Sequence, residues 1–292
     1  MGAGQVVEIG KAGVFQRCPG LAAWFVLFPL IAWLVLFVVA PTLMLVVLSF
    51  AEQSGLGRIR FTGTFQHYAR AFEWTWLSVL GTSVWYAFLT TVICMIVGYP
   101  AAYFIGRSPQ RLRDLLITLV MIPFWTSFLI RTYAWITILS KEGLVNSLLM
   151  ATNLTQEPIT LLYTPFASVL GLIYNFLPFM ILPIYTSVEK LDGAMIEAAN
   201  DLGAGPIRAF SQVIVPLTSP GIAAGALLVF VPSIAMFAIT NLMGGGSQPT
   251  IGEVIYKQFT SGRNQPFGAA LGTLLLLIFI ASIWLTQRLR KE

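Results

Sequence analysis

Long apolar stretches alternate with short charged ones along this chain. Charge-free stretches run Leu21–Ala51, Trp74–Gly106, Leu115–Ile130, Pro158–Val188, Ala209–Gly252 and Asn264–Gln287. A helix needs about 20 apolar residues to cross the hydrocarbon of a bilayer, so most of these stretches predict one crossing each. Leu115–Ile130 is short and is expected to run on through Arg131 to Leu139. Ala209–Gly252 is long enough for two crossings, but Pro216, Pro220 and the Gly244–Gly246 run restrict it to one, near Gly221–Asn241. The pattern predicts an all-α polytopic membrane protein with six transmembrane helices, residues 1–20 forming a tail and residues 21–292 the membrane domain.

The first stretch, Leu21–Phe50, is far longer than the 7–15-residue apolar region of a cleaved signal peptide. At 1.5 Å per residue it would reach roughly 45 Å, so it must tilt or protrude, and Pro29 and Pro41 are expected to kink it.

Composition agrees. Of the 292 residues 57% are hydrophobic and 10% charged, against about 25% charged in soluble domains. The net charge of +5 therefore belongs to loops rather than to a nucleic-acid-binding face. Six crossings put both termini on one side. Ten Lys and Arg then lie on the terminal side and seven on the other, with the clusters Arg107–Arg113 and Arg288–Lys291 beside helix ends. By the excess of cations in cytoplasmic loops, the termini and the segment Val188–Pro216 are expected in the cytoplasm. Cys18 and Cys94 fall in the tail and in a span, form no metal pattern and are not expected to pair. His67 has no second ligand at metal spacing and reads as a surface residue.

Val188–Pro216 is the one long polar interruption late in the chain. Met195, Ala198, Ala199 and Leu202 make one stripe of a short helix, and Gly203 follows where a capping glycine belongs. Pro206 suits the first position of a second helix, with Ile207, Phe210 and Ile214 as its stripe. The prediction is helix, elbow, helix. An ordinary connecting loop would be shorter and less periodic. A helix lying on the bilayer would favour Lys and Arg, whereas this segment carries Glu189, Asp192, Glu197 and Asp201 against Lys190 and Arg208. A protein surface suits it better as a partner.

Glu197-Ala198-Ala199, three residues, Gly203, nine residues, then Val213-Ile214-Val215-Pro216 resembles the EAA loop of the permease subunits of bacterial ABC importers. Val213 and Val215 depart from the usual Ile and Leu but remain aliphatic. The resemblance runs roughly from Trp76 to the C-terminus, with a core over residues 76–287. It implies the type I importer architecture and a multi-pass protein of the bacterial inner membrane. It also implies that residues 188–216 are a coupling loop docking on a separate ATPase dimer. Glu197, Ala198, Ala199 and Gly203 match the motif, and Leu202, Pro206 and Phe210 complete the expected contact set. The implied partners are that ATPase, a second homologous permease, an extracytoplasmic binding protein and membrane lipid. No G-x-x-x-x-G-K-[ST] string occurs, and MGGGSQ lacks the Lys. The chain is therefore expected to be no enzyme and to hold no cofactor or metal, ATP and Mg²⁺ binding in the partner ATPase.

Softer signals bear on substrate. The stretches Ile122–Leu139, Lys141–Leu149, Asn241–Phe259 and Pro266–Ala270 resemble the spermidine/putrescine branch of that family. Arg131 lies at or near membrane depth, where a charge at a helix centre costs about 2.5–3.5 kcal/mol on insertion scales. It is expected either to anchor at the interface or to line a path. Trp125, Tyr133, Trp135 and Tyr174 are candidates to hold a cation on their ring faces. Asn175 and Pro178 are expected to interrupt the fourth helix, and Ser233 and Thr240 to sit in the fifth, where packing or back-bonding competes with substrate contact. The spans themselves contain no Asp or Glu. Other solutes stay open: an opine or amino-acid derivative, a phosphonate or ferric iron. A stand-alone secondary transporter or channel would want inverted repeats and intramembrane acids, and an intramembrane enzyme a nucleophile–base pair, none of which the sequence offers.

Overall fold

The computed structural model describes residues 19–54, 58–246, 248–262 and 264–289. Expectations about Cys18, the rest of the tail before Pro19, Arg263, Arg290 and Lys291 lie outside the described residues. Helix α1 (Pro19–Leu34) passes through one π-helical turn, Val35–Val39, into α2 (Ala40–Ser49). The turn has a cause. Pro41 cannot donate to the carbonyl four residues back, and its ring crowds that carbonyl. Widening the turn relieves both, and the Ala40 N–H bonds back to Val35 O instead. The expected adjustment near Pro41 is thus a π turn within a continuous helix.

A short antiparallel hairpin follows, β1 (Ala51–Ser54) with β2 (Arg58–Phe61), then α3 (Gln66–Ala71) and the 34-residue α4 (Trp74–Arg107). The third crossing departs from expectation. Helix α5 (Gln110–Met121) tightens into a 3₁₀ turn over Ile122–Trp125 and stops; α6 (Phe128–Leu139) starts on a new axis. The two segments meet at 89°, so the stretch does not run straight on through Arg131. Pro123 takes an N–H out of the ladder, Thr126 is extended, and Ser127 caps α6 by accepting from Leu129 N–H.

Helix α7 (Leu144–Ala151) leads to α8 (Pro165–Glu189). Pro178 does not interrupt α8, which is continuous over 25 residues with Pro178 and Pro183 inside it. Asn175 sits within that helix and donates from Nδ2 to Gly171 O. After α9 (Gly193–Asp201), α10 (Pro206–Ala209) and a second π turn, Phe210–Ile214, run into α11 (Val215–Ala235). Here too the π turn precedes a proline, Pro216, and Val215 N–H bonds to Phe210 O. The fifth crossing therefore spans Pro206–Ala235 rather than Gly221–Asn241, because neither Pro216 nor Pro220 stops it. It ends where Met236 turns extended. Thr240 falls beyond that break, in α12 (Ala238–Gly244), not in the fifth helix. Helices α13 (Ile251–Phe259) and α14 (Gln265–Leu289) complete the chain. Among the described residues five helices are long and apolar enough to cross a membrane, and the bent α5–α7 stretch supplies the sixth candidate crossing.

Helix α8 is the centre, packed between α4 and α11. Leu172, Met180, Ile184 and Val188 of α8 are buried with Cys94, Tyr99 and Ala102 of α4 and Val229 of α11. In lipid no hydrophobic force drives helix to helix, so close van der Waals contact must do it. Gly221 shows how close: a β-carbon there would lie 2.6 Å from Pro183 O. The bond between the Tyr99 and Thr218 hydroxyls, 2.8 Å, adds only about 0.6 kcal/mol by the average for such pairs, so packing dominates.

The molecule has two ends. At the elbow end lie the C-terminus of α4, the start of α5, the end of α8 and the α9–α10 elbow, tied by the ion pair Arg113–Glu189 at 3.0 Å. At the hairpin end lie β1–β2, α3, α7, α12 and α13. Its ties include Gln53 Oε1 accepting from Gln265 N–H at 3.2 Å and Tyr163 N–H donating to Met243 O at 2.8 Å. His67 is a tie of this kind rather than a free surface residue: its Nε2 lies 3.0 Å from Ala51 O, and its ring faces Phe267.

Candidate functional site

The elbow is built by its caps. Asp192 opens α9 by accepting from Ala194 N–H at 3.0 Å. Gly203 closes it at φ +82, with Ala204 N–H bonding to Ala199 O and Gly203 N–H to Asn200 O. These are the two bonds of a Schellman cap, and the left-handed position between them is one glycine occupies without strain. Pro206 then starts α10 with Gly205 as its cap.

Of the four acids in this segment, two are used inside the chain: Asp192 as a cap and Glu189 on Arg113. Glu197 and Asp201 are exposed and make no ion pair among the described residues. Leu202 is 90% exposed, Ile207 82% and Met195 55%. Ala198 is exposed and Ala199 half-buried. Phe210 is different: its ring packs edge-on against Tyr99 at 5.4 Å and Tyr103 at 6.4 Å, anchoring the elbow to α4. Beside the elbow an open cleft of about 590 Å³ runs along the contact of α8 with α11, lined by Pro183, Ser187, Lys190, Asp192, Leu217 and Pro220. The arrangement is a rigid, capped helix end with apolar side chains and two spare carboxylates facing outward.

The pathway candidates do not converge on one spot. Arg131 lies over Phe124 at 5.0 Å and Tyr174 at 5.9 Å, and Trp135 meets Tyr174 edge-on at 5.6 Å. Tyr174 is thus occupied by groups of its own chain. Trp125 and Tyr133 are 79% and 56% exposed and make no ring contact with that pair among the described residues. The Arg131 guanidinium keeps Nε and Nη1 buried without hydrogen-bond partners among the described residues, and so does Asn175 its Oδ1, next to Tyr174 on α8. Ser233 bonds back to Val229 O at 2.6 Å. Thr240 bonds back to Met236 O and meets the Thr250 hydroxyl at 3.3 Å.

A second polar cluster, at the hairpin end, was not singled out from sequence. Glu253 on α13 is 1% exposed; its Oε1 accepts from Lys257 Nζ at 2.7 Å and from Asn241 Nδ2 at 3.0 Å. Asn241 and Glu253 fall within one stretch that resembles the polyamine branch, but Glu253 stands one residue past the end of a charge-free stretch and so reads as a loop acid. Only the packing of α13 buries it. Near it Ser83 accepts from Ile251 N–H at 2.7 Å and Tyr86 donates to Gln248 at 2.8 Å, tying α4 to this end.

Comparison with known proteins fits this geometry. Residues 95–291 match the family described as the inner membrane component of binding-protein-dependent transport systems. The spermidine/putrescine transport system permease protein PotB of Salmonella typhimurium is 40% identical over 275 residues, 93% of each chain. PotB of Escherichia coli is 39% identical over 280 residues, 93% of this chain and 98% of that one. Among solved structures, a bacterial ABC transporter that imports the acidic polysaccharide alginate has a chain superposing with a TM-score of 0.73 at 19% identity, over 94% of this chain and 97% of that one. That likeness establishes the importer permease fold and nothing about cargo. A six-crossing layout with an elbow between its fourth and fifth helices, a family match over residues 95–291 and relatives near 40% identity converge: this chain belongs to the inner-membrane permease components of binding-protein-dependent ABC transporters.

Proposed function

We propose that this permease imports polyamines of the spermidine and putrescine class, powered by a separate ATPase dimer that docks on residues 188–216. The coupling part is carried by one observation: Leu202 and Ile207, on either side of the Gly203 cap, are 90% and 82% exposed, Leu202 before the fifth crossing and Ile207 in its first turn. Exposed aliphatic side chains on a rigid element are what a partner protein covers. Glu197 and Asp201 beside them supply charge without an ion-pair partner among the described residues. Glu197, Ala198, Ala199, Leu202, Gly203 and Pro206 form the docking face, and Phe210 transmits its movement to Tyr99 and Tyr103 of α4. ATP and Mg²⁺ bind in the ATPase, and this chain carries no site for them.

The elbow end is then cytoplasmic. Arg107, Arg111, Arg113, Lys190, Arg208 and Arg288 gather toward it, which supports that orientation. The hairpin end faces the extracytoplasmic binding protein that delivers the solute. A second, homologous permease completes the path. The polyamine assignment rests on relatives 40% and 39% identical over most of the chain that bear that name.

The test is uptake of labelled spermidine or putrescine by the complex reconstituted with its ATPase and binding protein. Uptake is expected to require ATP and to fall when Glu197→Lys removes ATPase binding without changing permease abundance. Wild-type complex that ignores polyamines but moves an anion, an amino-acid derivative or ferric iron would overturn the substrate class. Unchanged ATPase binding and uptake in Glu197→Lys together with Gly203→Pro would overturn the docking site.

A further inference from the structure

A polycation crossing a membrane wants a carboxylate, and the charge-free stretches hold none. The fold supplies one beside them. Glu253 sits in the first turn of α13, where the helix dipole favours an acid. Its Oε1 is shared by Lys257 and Asn241, while its Oε2 is buried with no hydrogen-bond partner among the described residues. An ionised carboxylate only accepts, and leaving one oxygen bare in a buried site is costly. The walls of the site explain how a ligand would reach it. One is the Gly244–Gly246 turn, where Gly246 at φ +69 presents backbone; even a β-carbon added there would stand 3.6 Å from Oε1. Another is the Lys257 side chain, which is 53% exposed and so open to solvent on its outer side. Asn241, which donates to Oε1, is neutral and polar.

The chemistry of the ligand follows from what already fills half the site. Lys257 places a primary alkylammonium 2.7 Å from Oε1. A second alkylammonium of the same kind fits the same carboxylate, with Oε2 as the free acceptor. A metal ion does not, since no group of three or more His, Cys, Asp and Glu gathers among the described residues. We propose that Glu253 receives an ammonium group of the transported polyamine at the hairpin end, displacing Lys257, which holds the carboxylate while the path is empty. This inference rests on the polyamine reading above. It places the receiving acid on α13, outside the aromatic cluster around Tyr174.

The experiment compares ATP-driven uptake of labelled putrescine and spermidine by reconstituted wild type, Glu253→Gln, Lys257→Met and the double variant, with ATP hydrolysis stimulated by loaded binding protein as the measure of an intact complex. Glu253→Gln is expected to lower uptake about tenfold, the size of a lost charge-assisted hydrogen bond, while stimulated hydrolysis persists. Lys257→Met is expected to raise uptake at limiting substrate, because it removes the competing cation. If the pair were structural only, both single variants would fall together and the double variant would recover, which overturns the proposal. Wild-type uptake by Glu253→Gln overturns it as well. Should Glu253→Gln fail to insert, Glu253→Asp keeps the charge at shorter reach and Lys257→Met still gives the sign of the effect. A wild-type complex that moves no polyamine sinks the substrate reading and this inference together. Polyamine uptake with the variants moving in parallel sinks this inference alone.

Discussion

At the elbow end Leu202 and Ile207 stand 90% and 82% exposed; at the hairpin end Glu253 and Asn146 are exposed by 1% and 0%. One region puts aliphatic carbon where water is, and the other puts a charge and an amide where water is not. Both reverse the ordinary sorting of side chains. The elbow can do so because its own bonds hold it: Asp192 caps one end of α9 and Gly203 the other, so exposed Leu202 is not needed for its shape. The hairpin end can do so because its polar groups are bonded. Asn146 donates to Ser140 O and Ile159 O at 3.0 Å each and accepts from Ile159 N–H at 2.9 Å, fixing the chain that enters α8. Glu253 departs from this, with one carboxylate oxygen unmatched among the described residues, as does the Thr155 hydroxyl. The contrast separates surface held ready for another protein from polar burial that serves the fold, and it sets apart Glu253, a buried carboxylate with one oxygen the described residues do not satisfy.

The largest expected effect tests the elbow. Leu202→Asp should leave the melting temperature of the purified permease unchanged and cut ATP-driven uptake about thirtyfold or more, the cost of losing an interface anchor worth about 2 kcal/mol. A lowered melting temperature with normal uptake would make Leu202 a folding residue and erase the contrast. Next, Asn146→Ala should do the reverse. It strands the Ile159 N–H and two carbonyls, and with water recovering part of the loss the cost is about 1.5 kcal/mol, read as a lower melting temperature and lower abundance with ATPase affinity intact. Gly203→Ala is smaller. A β-carbon at φ +82 costs about 1 kcal/mol in the left-handed region, so ATPase affinity should weaken about fivefold while membrane insertion stays normal. Smallest is Tyr99→Phe, which deletes the bond to Thr218 for about 0.6 kcal/mol. Its ring still meets Phe210, so uptake should stay near wild type; a large loss would mean the hydroxyl pair carries motion from the elbow into α4.

The elbow was legible because its signals are local: the stripe, the cap glycine and the restarting proline lie within Met195–Phe210. The roles of its acids were not. Glu189 meets Arg113 from another helix, and Phe210 meets Tyr99 and Tyr103, contacts that sequence distance hides. The grouping of the aromatic candidates was hidden for the same reason. Trp135 and Tyr174 come together only because α6 turns 89° away from α5, which also leaves Trp125 outside the cluster. Prolines misled twice. Pro216 and Pro178 read as breaks, yet a π turn before the first and packing around the second keep α11 and α8 whole.

By itself the sequence determined that this chain is an all-α membrane protein, how many times it can cross, and where its elbow projects. Those properties follow from the thickness of a bilayer and from local backbone preferences, which a run of residues carries within itself. Only the tertiary structure decided which polar groups are buried and which of them go unmatched. Glu253 has the same sequence surroundings as a loop acid; it becomes a buried carboxylate because α13 packs into the fold, with Asn241 of α12 brought to one oxygen and the other left without a partner among the described residues.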